Sequence, residues 1–175
     1  FLGIYLAQVI MWLYNLTGFF GVGVLAAIYP LLVITGMHGA LFPPMMQSLT
    51  QFGFEPIIGL SSVLANINQG AATLAVAVKN KKERPTAISA TITSILGGVT
   101  EPAMFGINLK YKTPLYASMA GSFIGGCVAG LFKVYMYALG GSAGIFGVTG
   151  FIGENSSNLL FMLLSILVGF TATFI

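Results

Sequence analysis

Aspartate is absent from this chain of 175 residues, and charge of either sign is scarce: seven residues are Lys or Arg and four are Glu. Charged residues make up 6% of the chain and hydrophobic residues 57%, with a mean hydropathy of +0.94. A soluble domain of this length could not cover its surface with so few charges. The composition therefore predicts an all-α polytopic membrane protein. The net charge of +3 is small and clustered, which argues for membrane topology and against nucleic-acid binding.

Cysteine is almost absent as well. Cys127 stands alone, so an internal disulfide and a cysteine metal cluster are both excluded. The chain also has no zinc-ligand spacing and no Walker-type phosphate loop. We therefore expect neither a metal nor a cofactor, and no direct use of a nucleotide.

Long apolar runs are what the chain has instead, and a spanning helix needs ~20 such residues. Residues 1–17 are interpreted as the end of a preceding transmembrane helix, and residues 18–175 as a larger domain of a longer protein. Pro30 predicts a kink in the first run. Residues 36–44 are too broken for a continuous helix, and the polar residues 47–55 are expected at an interface or in a cavity. The predicted spans are residues 18–36, 56–78, 114–139 and 158–175.

Two short basic clusters enclose residues 85–109. The positive-inside rule places both clusters in the cytoplasm, which predicts a re-entrant hairpin with its tip near residues 97–102. Non-helical backbone at that depth persists only where protein or a watery cavity surrounds it. The alternative is one kinked span with the clusters on opposite faces.

Glycine is concentrated in the second half of the chain. The four-residue spacings of Gly121, Gly125, Gly126 and Gly130 predict close helix packing. Residues 140–153 are rich in glycine and predict a loop or an unwound segment at membrane depth.

Glu101 is the only charged residue between Arg84 and Lys110. A carboxylate in the bilayer centre costs about 2.5–3.5 kcal/mol on insertion scales, so it usually faces a cavity or a partner. The glycines before it and Pro102 after it break the helix at this charge, as binding sites of transporters often do. Glu101 is therefore the first candidate site residue, and an interfacial helix-end charge is the alternative.

His38 is the only histidine and also lies at a glycine and proline break. An imidazole and a carboxylate together suit sugar hydroxyl groups, and either could accept a proton from one. Asn66, Asn68 and Gln69 add amides that a polyhydroxylated ligand would satisfy, although hydrogen bonding between helices explains them equally well. Thr100 is a weaker candidate of the same kind.

The run Gly98-Val99-Thr100-Glu101-Pro102-Ala103-Met104-Phe105-Gly106-Ile107-Asn108-Leu109 closely resembles the signature of the membrane IIC component in the glucose superfamily of bacterial sugar phosphotransferase systems. The similarity extends to residues 35–38, 68–72 and 110–114, and so covers nearly the whole chain. Within the superfamily the chain looks most like the β-glucoside permeases, and sucrose and trehalose permeases carry similar signatures.

This resemblance implies a multi-pass protein of the bacterial inner membrane, with kinked helices and two re-entrant hairpins in a C-terminal transport domain. It implies a homodimer formed through an N-terminal half that is mostly missing here. Glu101 and His38 fall on the family's sugar-binding glutamate and histidine, which are also the candidate catalytic residues.

The activity that the resemblance implies is group translocation. A phosphocysteine on a separate IIB domain phosphorylates the sugar, with Glu101 or His38 as a possible general base. Lys79, Lys81, Lys82 and Arg84 are candidate docking charges for IIB, and simple topology determinants are the alternative. Two other classes remain open: an ion-coupled sugar symporter and a membrane subunit without a transport role.

Overall fold

A computed structural model describes residues 8, 12, 14–153 and 156–175, and most of the predicted first helix end lies outside these residues. The described part is helical and contains no strand; an isolated antiparallel bridge joins Glu55 to Met136. Five long helices are α1 (Phe19–Ile34), α2 (Phe42–Phe52), α3 (Ile58–Lys79), α4 (Thr113–Leu131) and α5 (Ser156–Phe174). Of the described helices, Thr113–Leu131 and Ser157–Phe174 are long and apolar enough to cross a membrane.

Helix α3 forms the centre of the molecule. Its residues from Ile58 to Thr73 are almost all buried, because α1, α4 and α5 pack around it. The amides of residues 66–69, which interrupt the apolar run in the sequence, do not interrupt the helix. A fully packed central helix can carry amides because its neighbours shield them from lipid.

Glycines set how closely the other helices approach one another. On α4, a methyl group at Gly125 would lie 2.9 Å from the Ser165 carbonyl oxygen of α5. On the adjoining face, a methyl group at Gly126 would lie 2.8 Å from the Gly23 Cα of α1. The predicted close packing of the glycine-rich helix is therefore confirmed, and it involves a different neighbour on each face.

Residues 84–111 form a helical hairpin. The first arm runs through Arg84–Ile92 and a π-helical turn, Thr93–Gly97. Gly98, with a φ of 69°, reverses the chain. The second arm consists of Glu101–Ala103, a second π-helical turn at Met104–Asn108, and Leu109–Tyr111. A hydrogen bond of 2.7 Å from Lys110 Nζ to Glu83 Oε1 joins the two ends of the hairpin.

One predicted span is wrong at its end, and one helix was not predicted. The span predicted over residues 114–139 ends at Leu131, because Lys133 adopts a positive φ of 52° and residues 132–144 are irregular. Residues 42–52 overlap the end of the predicted break and the polar stretch after it, and they form helix α2. Pro43 and Pro44 are compatible with this helix because they lie in its first turn, where a backbone N–H would have no partner within the helix. The break before α2 is confirmed as a short 3₁₀ helix, Met37–Leu41, that follows Gly36 in a left-handed conformation.

Candidate functional site

A cavity of about 410 Å³ lies between the hairpin tip, α3, the 3₁₀ helix and the irregular segment after α4. This volume falls within the ~300–1,000 Å³ that is usual for small-molecule sites. Its walls combine apolar side chains, such as Phe42, Met45 and Leu139, with a smaller polar set. The polar lining residues are Tyr29, His38, Ser62, Asn66, Thr100, Glu101 and Ser142.

Glu101 reaches this cavity because the hairpin turns immediately before it. Gly98 packs against the backbone of Ala143, and a methyl group at Gly98 would lie 2.6 Å from the Ala143 carbonyl carbon. The turn brings Thr100, which is 4% exposed, and the exposed Glu101 to the start of the second arm. The carboxylate is thus free to accept hydrogen bonds from a ligand.

His38 lies on the 3₁₀ helix, which precedes α3 in the chain, whereas Glu101 follows α3. Both residues line the same cavity. The Nδ1 atom of His38 is buried and has no hydrogen-bond partner among the described residues. A buried nitrogen without a partner is costly unless a ligand or water satisfies it.

Asn66 connects the hairpin tip to the wall of the cavity. Its Nδ2 donates to the Gly98 carbonyl at 3.4 Å and to the Ala143 carbonyl at 3.1 Å. Ser94 in turn donates to the backbone carbonyl of Asn66 at 2.6 Å. Because both partners of Nδ2 are carbonyls, the orientation of the amide is determined, and its buried Oδ1 has no donor among residues 14–153 and 156–175.

The structure thus brings together four of the six predicted site residues: Glu101, His38, Thr100 and Asn66. The other two lie deeper in the helix bundle. Asn68 Nδ2 donates to Ser122 Oγ of α4 at 3.1 Å. Gln69 is completely buried, and in the part of the chain that the structure describes neither of its side-chain polar atoms has a partner. Neither residue lines the cavity.

Three polar cavity residues escaped sequence reasoning. Ser62 lies one helical turn before Asn66, and that i, i+4 spacing was a usable signal. Tyr29 and Ser142 gave none, because the tertiary fold alone brings them to the cavity.

Glu55 was expected at an interface or in a cavity, as part of the polar stretch 47–55, and for this residue the expectation is wrong. Its side chain is fully buried beneath the cavity wall. Oε1 accepts from the backbone N–H groups of Ile57 and Ile58 at 2.9 and 2.8 Å, and Oε2 accepts from that of Gly59 at 2.8 Å. The start of α3 therefore supplies the partners that a buried carboxylate requires.

The basic loop after α3 is solvated. Arg84 Nε donates to the Ala77 carbonyl at 3.0 Å, and the side chains of Lys79, Lys81 and Lys82 are exposed. None of these residues lines the cavity.

Comparison with known proteins adds independent findings. The β-glucoside-specific EIIBCA component of the phosphotransferase system (PTS) from Bacillus subtilis is 33% identical over 173 residues, which cover 98% of this chain and 28% of the relative. The arbutin-, cellobiose- and salicin-specific EIIBC component of Escherichia coli is 38% identical over 136 residues, 74% of this chain and 28% of the relative. The sucrose-specific EIIBCA component of Pediococcus pentosaceus is 38% identical over 168 residues, 93% of this chain and 25% of the relative. The chain therefore spans about a quarter of the length of these relatives.

No solved structure matches the chain. The family model described as "Phosphotransferase system, EIIC" matches residues 1–122. That region includes His38, Asn66 and Glu101, the residues that meet in the cavity. This match and these relatives show that the chain belongs to the EIIC family of the phosphotransferase system.

Proposed function

We propose that this chain is the greater part of the transport domain of an inner-membrane permease, which binds a β-glucoside-type sugar and moves it inward coupled to phosphorylation. The observation that carries the proposal is the shared cavity of Glu101 and His38, which belong to separate breaks in the chain. The relatives named for β-glucosides support the choice of sugar, and the relative named for sucrose makes sucrose the main alternative.

The polar groups of the cavity suit a sugar because they offer several acceptors close to apolar walls. The exposed Glu101 carboxylate can accept from two adjacent hydroxyl groups. Asn66 Oδ1 and His38 Nδ1 are buried, so each can bond a further hydroxyl group once the side chains that cover it move aside. Phe42 and the apolar side chains around it would contact the carbon face of the ring.

The chemical step is a transfer from a phosphocysteine on the IIB domain to the sugar's 6-hydroxyl. The sulfur–phosphorus bond breaks, a phosphorus–oxygen bond forms, and the hydroxyl proton passes to Glu101 or His38. Phosphoryl transfer depends mainly on alignment and charge stabilisation. The cavity therefore acts chiefly by holding the hydroxyl in line with the donor. The names of the relatives combine EIIB with EIIC, which supports IIB as the partner.

In the membrane, the hairpin of residues 84–111 is re-entrant, with both ends at the cytoplasmic face and the tip at the sugar. The ion pair between Glu83 and Lys110 supports this placement, because it holds the two basic loops side by side. The exposed Lys79, Lys81 and Lys82 then face the compartment of IIB. A homodimer would form through the part of the protein that precedes this domain.

The test uses the full-length protein in vesicles, with labelled salicin or cellobiose outside and phosphoenolpyruvate plus the soluble phosphotransferase proteins inside. We expect internal sugar phosphate with the wild type and little with Glu101→Gln, which keeps the shape of the side chain but weakens its acceptors. Unlabelled sucrose and trehalose as competitors identify the preferred sugar.

Accumulation of free sugar that depends on an ion gradient would favour a symporter instead. Retained binding and phosphorylation in Glu101→Gln would remove Glu101 from the site. Gln51→Glu, an exposed position outside the cavity, controls for the substitution itself.

A further inference from the structure

The cavity that contains Glu101 is long in one direction, along α3. The lining residues of this helix share one of its faces over two turns: Ile58, Gly59, Ser62, Val63 and Asn66. Eight residues separate the first from the last, so this wall extends over ~12 Å. A single pyranose ring does not span that length, whereas two linked rings do.

Polar groups lie in both halves of this wall. In the hairpin half, Asn66 donates to the Gly98 carbonyl at 3.4 Å, and Glu101 follows Gly98 by three residues. In the other half, the Tyr29 hydroxyl of α1 lies within hydrogen-bonding reach of the Ser62 side chain. Ser62 is one helical turn from Asn66, which places the hydroxyl pair ~6 Å along the helix from the amide.

The hydroxyl pair has hydrogen-bonding capacity left for a ligand. The buried Glu55 carboxylate lies close enough to Tyr29 to act on it electrostatically, but three backbone N–H groups at the start of α3 already serve this carboxylate. Each hydroxyl group has one donor and two acceptor lone pairs, so the pair keeps at least one O–H and several lone pairs. Ser62 is half-buried and Tyr29 is 7% exposed, and both line the cavity.

Apolar side chains surround the hydroxyl pair. Val33 lies one turn after Tyr29 on the same face of α1, and Val63 follows Ser62 on α3. Met136 covers the start of α3, where a methyl group at Gly59 would overlap the Met136 thioether. Apolar walls with a few placed polar groups are what an orienting ligand site requires, and a sugar ring offers a carbon face and hydroxyl groups to match them.

We propose that Tyr29 and Ser62 form a second subsite, which binds the ring of a disaccharide that does not receive the phosphoryl group. The ring that receives it lies in the hairpin half, against Glu101. This subsite rests on the proposed function, and it deepens that function by naming two linked rings as the substrate class. The alternative is a hydrogen bond between α1 and α3 that serves packing alone.

The test is equilibrium binding to the full-length protein in detergent, with no phosphoryl donor present. The two-ring ligand is whichever of cellobiose, sucrose and trehalose binds most tightly, and the one-ring ligand is the methyl glucoside of the matching anomer. Tyr29→Phe and Ser62→Ala should each weaken binding of the disaccharide about fivefold, as expected for loss of one hydrogen bond. Both variants should leave binding of the methyl glucoside unchanged.

Three controls separate hydrogen bonding from shape. Tyr116→Phe is the matched control, because Tyr116 is 65% exposed and lies outside the cavity. Glu101→Gln should weaken binding of both ligands. A phenyl glucoside fills the second half without offering a hydroxyl group, so Tyr29→Phe should not affect it, whereas the bulkier Ser62→Leu should weaken it and the disaccharide but not the methyl glucoside.

Equal losses for the disaccharide and the methyl glucoside in Tyr29→Phe would show a packing role and overturn the proposal. Unchanged disaccharide binding in both Tyr29→Phe and Ser62→Ala would also overturn it. Wild-type protein that binds the methyl glucoside but no disaccharide would overturn the subsite alone. Because binding is measured without a phosphoryl donor, a failure of sugar phosphorylation in vesicles contradicts only the proposed function.

Discussion

At the residue scale, Glu55 shows how a charge is accommodated inside an apolar chain. The carboxylate is completely buried, and its hydrogen-bond partners are three backbone N–H groups at the start of α3. Its own backbone forms two hydrogen bonds with Met136, of 2.7 and 2.9 Å. Ile58, Gly59 and Met136 all line the cavity, so Glu55 positions two of its walls at once.

Glu55→Ala should therefore lower the free energy of unfolding by more than the loss of an ordinary helix cap does. Loss of a cap costs about 0.5–2 kcal/mol, and buried donors left without a partner cost about 1–3 kcal/mol more. Thermal unfolding of the full-length protein in detergent measures the change, with the exposed Gln51→Ala as the control. A melting temperature equal to that of the wild type would contradict the role of Glu55.

Asn66→Asp tests the connection between the hairpin tip and the cavity wall. The substitution replaces Nδ2 by an oxygen that faces the carbonyls of Gly98 and Ala143. We expect repulsion at both contacts, a mobile hairpin tip and at least a tenfold loss of sugar affinity, equivalent to ~1.4 kcal/mol. Equilibrium binding of labelled sugar measures it, with Gln51→Glu as an amide-to-acid control. Unchanged affinity would show that the tip does not depend on this amide.

At the scale of elements, the glycines of α4 determine the distance between three helices. Gly125→Ala places a methyl group 2.9 Å from a backbone oxygen of α5, where neither side can move easily. Overpacking of this kind costs about 1–3 kcal/mol. In the hairpin, a methyl group at Gly106 would lie 4.0 Å from the Thr86 side chain, an ordinary contact, so Gly106→Ala should be tolerated or slightly stabilising. Comparable melting temperatures for the two variants would contradict tight packing at Gly125.

The hairpin's base should respond to pH through its ion pair. The hydrogen bond from Lys110 lowers the pKa of the Glu83 carboxyl, and the same bond raises the pKa of Lys110. The contribution of Glu83 to stability is therefore present above its unfolded pKa of ~4.3 and is lost as the pH falls through the lowered folded value. That of Lys110 is present below ~10.4 and is lost as the pH rises through the raised value.

The measurement compares the wild type with the double variant Glu83→Gln/Lys110→Gln in melts across pH. We expect a constant difference between about pH 6 and 9 that shrinks toward both extremes. A difference that changed steadily across neutral pH would implicate another titrating group.

Elements were predictable where the sequence has a single dominant signal. The long apolar runs predicted α1, α3 and α5, and the paired basic clusters predicted the hairpin and its turn near Gly98. The end of α4 was not predictable, because residues 132–139 are mostly apolar and Lys133 is their single charge. Contacts of Met136 with Glu55 and of Tyr135 with Asn158 hold that segment out of the helix.

At the scale of the whole molecule, topology is the property that decides the function. If the hairpin is re-entrant, Lys82→Cys and Lys112→Cys must react with an impermeant thiol reagent from the same, cytoplasmic side. A Cys127→Ala background removes the single thiol of residues 1–175, and each variant is compared with that background to allow for cysteines elsewhere in the full-length protein. Reaction from opposite sides would show that residues 84–111 cross the membrane once, and would contradict a proposed site at the bilayer centre.

The candidate site was predictable only in part, and for a physical reason. Glu101 and His38 stand out because ionisable groups are expensive in an apolar setting. Asn68 and Gln69 present the same sequence signal as Asn66, yet the helix turns them toward α4 and the bundle interior. Sequence therefore indicates which residues are polar within the membrane, whereas the rotation of α3 decides which of them meet a ligand.

The closed base of the hairpin also bears on how such proteins could diversify. The entry and exit of the hairpin adjoin at Glu83 and Lys110, so a homologous segment of different sequence could take its place provided that it keeps the contacts with α3, such as those of Ser94 with Asn66 and Thr91 with Thr73. Residues 84–109 thus form one exchangeable segment, a cassette, which places Glu101 in a cavity whose other walls come from other elements. Grafting the corresponding hairpin from a relative of different sugar preference would separate what the cassette selects from what the remaining walls select.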